Sequence, residues 1–263
     1  MVMLMSLKHQ IPILLVGGLA MRGDEHLLLA NKLAEKLDQT IIYFDNLNVG
    51  NGPRLSVDKD LTIEDQALHQ WKQITERFGQ HTSISIYGIS MGGMIAVTMA
   101  SLFPERVHKL LLAATSANLK QNQAIPDELF AKWSSAKHED DIRTTTRIAF
   151  GKTTLENRPQ VYEDYFQYRI TGKNHQKAKE FIQQLVSIRN FKGSEIYSKL
   201  ASTNVEISIL SGEEDQLFDK EHLNDIVKLL PQARHISLKE TGHMLHLENL
   251  NGLVEAIVSN NLL

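Results

Sequence analysis

Short apolar runs rich in β-branched residues alternate along this chain with longer stretches in which apolar positions recur every three or four residues. The runs at 13–16, 40–44, 83–87, 109–113, 205–210 and 234–238 predict strands. Over 24–37, Leu27, Leu28, Ala30, Leu33, Ala34 and Leu37 form one stripe, and 66–77 and 224–230 carry the same helical period. Strand and helix in repeated succession predict an α/β fold, a mostly parallel sheet with helices on both faces.

One region departs from the alternation. Over 118–200 the patterns are mainly helical, started or interrupted by Pro126, Pro159 and Gly172, with no convincing strand. The expected organisation is therefore a core of 1–117 and 201–263 with an inserted helical cap over 118–200. Ten of the 17 aromatic residues fall in that insert, among them Trp133, Phe150, Tyr162, Tyr165, Phe166 and Phe181. Such enrichment suits the roof of an apolar pocket, though the rings could equally serve to hold the cap together.

With 263 residues and 42% hydrophobic content, the chain is long enough for one sizeable core. Lys and Arg number 28 against 31 Asp and Glu, a formal charge of −3, which argues against a nucleic-acid partner. The absence of cysteine excludes disulfides, Cys-ligated zinc, iron–sulfur clusters and a cysteine nucleophile. No apolar run approaches the roughly 20 residues needed to span a bilayer. The segment 11–20 has the length of a signal-peptide core, but Pro12, Gly17 and Gly18 punctuate it and its removal would delete a strand, so a cytoplasmic protein is expected.

The sharpest chemical signal is Gly88-Ile89-Ser90-Met91-Gly92, lying between a predicted strand and a helix over 91–102 that is apolar nearly all round. A serine on a tight strand-to-helix turn is held in a strained conformation with its hydroxyl above the sheet. Because a serine hydroxyl is a weak nucleophile, a base and an orienting acid must lie elsewhere. Of the 11 histidines, His243 follows the predicted strand 234–238, at the sheet end where such folds handle ligands; His246, three residues on, is its rival. The acid is expected after the preceding strand, in Ser211-Gly212-Glu213-Glu214-Asp215, with Asp215 chosen and Glu214 the alternative. Two N–H donors must also meet the oxyanion of an acyl-transfer intermediate. Met91, next to the serine, supplies one, and position assigns the other to Leu19, with Gly18 as alternative.

By these residues the chain resembles the α/β-hydrolase fold superfamily, in particular its capped esterases and lipase-like members. The likeness runs through 12–20, Tyr43-Phe44-Asp45-Asn46, 83–114, 211–215 and 241–248. It implies hydrolysis of a carboxylic ester through an acyl-enzyme, with Ser90, Asp215 and His243 as triad and no cofactor or metal. Gly17-Gly18 stands where the family often has His-Gly. Only about ten residues precede the first strand, so one or two of the family's edge strands are expected to be missing.

Two other readings compete. A strand, a glycine turn, a helix and a strand ending at Asp45 resemble a dinucleotide-binding unit, but Gly17, Gly18 and Gly23 do not have the G-x-G-x-x-G spacing. A binding protein that keeps the fold without turnover is the other. Residues 118–200 carry 14 Lys and Arg against 10 Asp and Glu, a charge of +4, which leaves −7 on the remainder. A basic lid over an acidic body suggests an anionic leaving group, such as an acyl chain on an acidic carrier protein or on coenzyme A, with an acyltransferase or thioesterase as the alternative activity. Solvated helix faces would give the same count.

Overall fold

Six parallel strands hydrogen-bond in the order β2-β1-β3-β4-β5-β6 in the computed structural model, which describes residues 11–56, 58–121, 123–136, 138–171 and 176–263. They are β1 (Ile13–Val16), β2 (Ile41–Tyr43), β3 (Ile84–Ile89), β4 (Val107–Ala113), β5 (Glu206–Gly212) and β6 (Arg234–Leu238). All six lie on the apolar runs that predict them, their ends displaced by no more than two residues. Residues 1–10, where a preceding edge strand would lie, and Gly172 fall outside the described residues.

The core helices are α1 (Leu27–Leu37), α2 (Ile63–Phe78) and α3 (Met91–Leu102), with α10 (Lys220–Leu229), α11 (Leu245–Glu248) and α12 (Leu250–Ser259) after the insert. The four residues before α1 wind as a 3₁₀ turn, so the apolar stripe over 24–37 spans two helical forms. Helices α2 and α10 begin earlier than periodicity places them because their first turns are polar and depend on caps. Thr62 Oγ1 accepts from Asp65 N at 3.0 Å while the Asp65 carboxylate accepts from Thr62 N, and Asp219 Oδ1 accepts from Glu221 N at 3.0 Å.

Alternation along the strands divides the core in two. Leu14, Val16, Ile84, Ile86, Leu110, Leu112, Ile207 and Ile209 face α2, α3 and α10. Ile13, Leu15, Tyr87, Ile89, Leu111 and Ala113 face α1 and α12. Helix α3 is buried continuously from Met91 to Ala100, as its unbroken apolar sequence requires.

Between β4 and β5, the described residues contain six helices and no strand: α4 (Asp127–Ser135), α5 (Glu139–Arg147), α6 (Lys152–Asn157), α7 (Pro159–Ile170), α8 (Ala178–Arg189) and α9 (Gly193–Ala201). Their packing splits the stretch 118–200. Tyr197 and Leu200 of α9 join the main core beside α3 and α10, whereas Phe150, Tyr162 and Phe166 form a separate cluster with Met244. No helix among the described residues is long and apolar enough to cross a membrane.

Candidate active site

The strand order reverses between β1 and β3, and the loops leaving their carboxyl ends meet there, at the crevice where open α/β sheets bind ligands. Ser90 ends β3 with φ 59° and ψ −124°, a left-handed backbone that costs on the order of 1–3 kcal/mol and must be held by its surroundings. Its N–H donates to Ala113 O at 3.0 Å, and its carbonyl accepts from Gly93 N at 2.9 Å and Thr115 Oγ1 at 2.7 Å. The two flanking glycines are dictated by close approach. A Cβ on Gly88 would lie 2.3 Å from Gly92 O, and one on Gly92 would lie 2.2 Å from Val16 O. Met91 then opens α3, so its amide is among those without an intrahelical acceptor.

Asp215 and His243 come together from two loops 28 positions apart. Nδ1–H of His243 donates to Asp215 Oδ2 at 2.9 Å, with both residues buried, and Asp215 Oδ1 accepts from the amides of Leu217 and Phe218 at 2.9 Å each. The carboxylate is thus fixed by three donors, and that bond leaves Nε2 as the free face of the imidazole. Phe218 meets the ring edge-on at 5.2 Å between centroids, and His243 N donates to Ala149 O at 3.0 Å. The alternatives make no such pair. Glu214 accepts from Thr153 N and Oγ1 at 2.7 and 2.6 Å at the start of α6. His246 is buried with neither ring nitrogen hydrogen-bonded. Asp45, the acid of the dinucleotide reading, accepts from Gly23 N and Asn51 N at 2.7 Å each and so organises its own loops.

Gly18 passes directly over the serine: a Cβ there would lie 3.1 Å from Ser90 Cβ. Leu19 follows it, and Gly18, Leu19, Ser90 and His243 all line one cavity. Residues 11–250 match the model of the α/β hydrolase fold family. The chain belongs to the α/β hydrolase fold family. Relatives include Lipase 1 of Psychrobacter immobilis, 25% identical over 249 residues, covering 91% of this chain and 73% of the lipase. Esterase YbfF of Escherichia coli is 25% identical over 246 residues, covering 94% and 91%. Among solved structures, a thermophilic esterase from Thermogutta terrifontis superposes with a TM-score of 0.77 at 19% identity, covering 96% of this chain and 89% of that one.

The cavity of this α/β hydrolase has a volume of about 300 Å³. Ile125, Trp133, Ile142, Phe181, Leu217 and Phe218 give it apolar walls, while Glu25, Arg169, Gln176 and Lys177 lie on its lining as polar groups. Trp133, Tyr165 and Phe181 of the insert face it; Phe150, Tyr162 and Phe166 pack on one another instead, so the aromatic richness serves both uses the sequence left open. Burial raises the Glu25 carboxyl to about 7, against the amide of Arg22 and the charge of Arg169, which favour its ionised form.

Glu248 is a positioning group that sequence reasoning did not single out. Its buried carboxylate accepts from Gly151 N at 2.8 Å, Gly242 N at 3.1 Å and Met244 N at 3.0 Å, tying the His243 loop to the start of α6. Only the fold brings those amides together; in sequence it reads as an ordinary helical acid. Glu248→Ala leaves three buried amides unpaired and is expected to lower unfolding free energy by about 3–5 kcal/mol in urea titrations.

Two buried histidines contribute to the acid sensitivity expected of this α/β hydrolase. Burial lowers His26 from 6.5 to about 3 and His246 from 6.5 to about 4, the latter assisted by His243. Their rings lie 6.0 Å apart. Below pH 6.5 the unfolded chain takes up protons that the folded one refuses, so stability is full above that pH and falls as the pH drops through about 4 towards 3. Near pH 5 the two histidines should contribute a slope approaching two protons, about 2.7 kcal/mol per pH unit in denaturant titrations, partly offset by Glu25, which keeps in the folded state a proton that the unfolded chain has largely lost. In His246→Gln the slope should fall by about one proton.

Proposed function

We propose that the protein is a serine hydrolase that cleaves carboxylic esters through an acyl-enzyme. The observation that carries this reading is the fixed imidazole: His243, held through Nδ1 by Asp215 at 2.9 Å, lines the same cavity as a serine in a strained strand-to-helix turn. The Ser90 hydroxyl attacks the substrate carbonyl while His243 Nε2 takes its proton. The amides of Met91 and Leu19 stabilise the oxyanion, and the protonated imidazole returns its proton to the departing alcohol. Water then attacks the acyl-serine with its proton passing to the same nitrogen, and Ser90 is regenerated. Asp215 holds the tautomer and stabilises the imidazolium.

Relatives named lipase and esterase support an ester as the substrate. The apolar walls and a volume of about 300 Å³ favour an acyl group of short to medium length. The helices of the insert act as a cap over that acyl group, with α9 belonging to the core beneath. The charge of +4 on 118–200 against −7 elsewhere favours one second reading, a thioester substrate on coenzyme A or on an acidic carrier protein.

The test is a panel of p-nitrophenyl esters and acyl-coenzyme A thioesters of graded chain length. Ester turnover with an optimum at short or medium chains is expected. Thioester turnover that exceeds it and falls with added salt would favour the second reading, and turnover of neither would contradict both.

A further inference from the structure

The loop that carries Leu19 is fixed by side chains of the insert rather than by the core alone. Ala20 adopts φ 57°, a left-handed conformation unfavourable for alanine, and both of its peptide groups are taken by inserted helices. Its N–H donates to Gln184 Oε1 on α8 at 2.9 Å, and its carbonyl accepts from Arg169 Nη1 on α7 at 3.1 Å. Gln184 is fully buried and is itself oriented. Its Nε2 donates to Leu47 O at 2.8 Å, and its Oε1 accepts a second bond from Gln176 Nε2 at 2.9 Å. On the core side, Asn46 Nδ2 donates to Gly17 O at 2.9 Å and is steadied by Gln70 Nε2 at 2.8 Å.

These bonds act on the peptide planes either side of the one that carries Leu19 N–H. Asn46 fixes the Gly17–Gly18 plane, Gln184 the Leu19–Ala20 plane and Arg169 the Ala20–Met21 plane. The amide of that last plane, Met21 N–H, donates to Gly18 O at 3.3 Å. Gly18 O and Leu19 N–H belong to one trans peptide and point in opposite directions, so a carbonyl held by Met21 turns the Leu19 amide the other way.

We infer that Gln184 is a positioning residue that aims the Leu19 oxyanion donor, and that seating of the α7–α8 part of the insert is thereby a condition for a competent oxyanion hole. The inference rests on the serine-hydrolase reading above. A substrate that holds the insert down completes the site, and an insert that lifts releases Ala20, relaxes its left-handed backbone and turns the donor away. Cap closure and transition-state stabilisation become one event.

The experiment compares Gln184→Leu and Gln184→Glu with the wild type on the best ester of the panel, together with inhibition by an alkyl boronic acid, whose tetrahedral serine adduct presents an oxygen to the same donors. Loss of an oxyanion donor costs roughly 100- to 1,000-fold, and one misaimed rather than removed about 10- to 100-fold. Gln184→Leu is expected to lose that factor in kcat with KM within about twofold, and to lose boronate affinity in parallel. Gln184→Glu retains an acceptor for Ala20 N–H but sets its other oxygen against Leu47 O, so it should recover only part of both. A folded Gln184→Leu with wild-type kcat and boronate affinity would overturn the inference. Should Gln184→Leu not fold, Arg169→Met breaks the bond at Ala20 O and must weaken boronate inhibition; unchanged inhibition overturns the inference equally. A wild type that neither turns over esters nor binds the boronate fails the serine-hydrolase reading instead.

Discussion

Replacing Ser90 by alanine is expected to lower kcat for the best ester by about 10⁵- to 10⁶-fold while leaving the fold intact. The hydroxyl is the only protein group in the proposed reaction that becomes bonded to substrate carbon, and neither His243 nor the oxyanion amides can replace it. What survives should be the residual rate that oxyanion donors and binding give to attack by water. Folding is not at risk, because Ser90 is held through its backbone, by Ala113 O, Gly93 N and Thr115 Oγ1, all of which alanine preserves. Alanine also tolerates the backbone at φ 59° as well as serine does. Near-wild-type thermal stability and retained binding of a non-hydrolysable analogue, measured beside the rate, separate loss of chemistry from loss of structure.

Asp215→Asn should produce the second-largest effect, a fall in kcat of about 10⁴-fold. An asparagine amide facing Nδ1 presents a donor where the carboxylate accepted, so the ring takes its proton on Nε2 instead and no longer offers a base to the serine. Asn Oδ1 can still accept from Leu217 N and Phe218 N, the two bonds that hold the turn, so stability should drop far less than activity. Asp215→Ala removes those bonds as well and should cost both. Glu214→Gln, whose parent carboxylate is engaged by Thr153, should leave the chemistry within a few-fold of wild type.

Strand positions were legible in the sequence because buried parallel strands must be apolar on both faces, and the runs at 13–16 and 109–113 have few other uses. The Ser90 turn was legible because its glycines and the apolar helix after it lie together in sequence: the contact that forces Gly88 is local to β3 and α3, while Gly92 is forced by Val16 O of β1. Asp215 and His243 were readable only as residues following successive strands. Their hydrogen bond depends on β5 and β6 being neighbours in the sheet, which periodicity does not report. The starts of α2 and α10 were misplaced by up to four residues because capping carries no hydrophobic signal. Glu248 and Gln184 escaped notice for a deeper reason. Each satisfies backbone groups more than a hundred residues away or on a separate loop, and their identity follows from where those amides sit rather than from neighbouring residues. The basic character of 118–200 was visible at once, yet among its described cations only Arg169 and Lys177 line the cavity.

The central claim is that the hydroxyl at position 90 becomes covalently acylated. Its most direct measurement is peptide mass spectrometry after brief exposure of the full chain to an alkyl fluorophosphonate. One adduct per chain is expected on the peptide containing Ser90, absent in Ser90→Ala and strongly slowed in Asp215→Asn. An adduct on a different residue, or ester turnover that continues undiminished with position 90 unmodified, would contradict it.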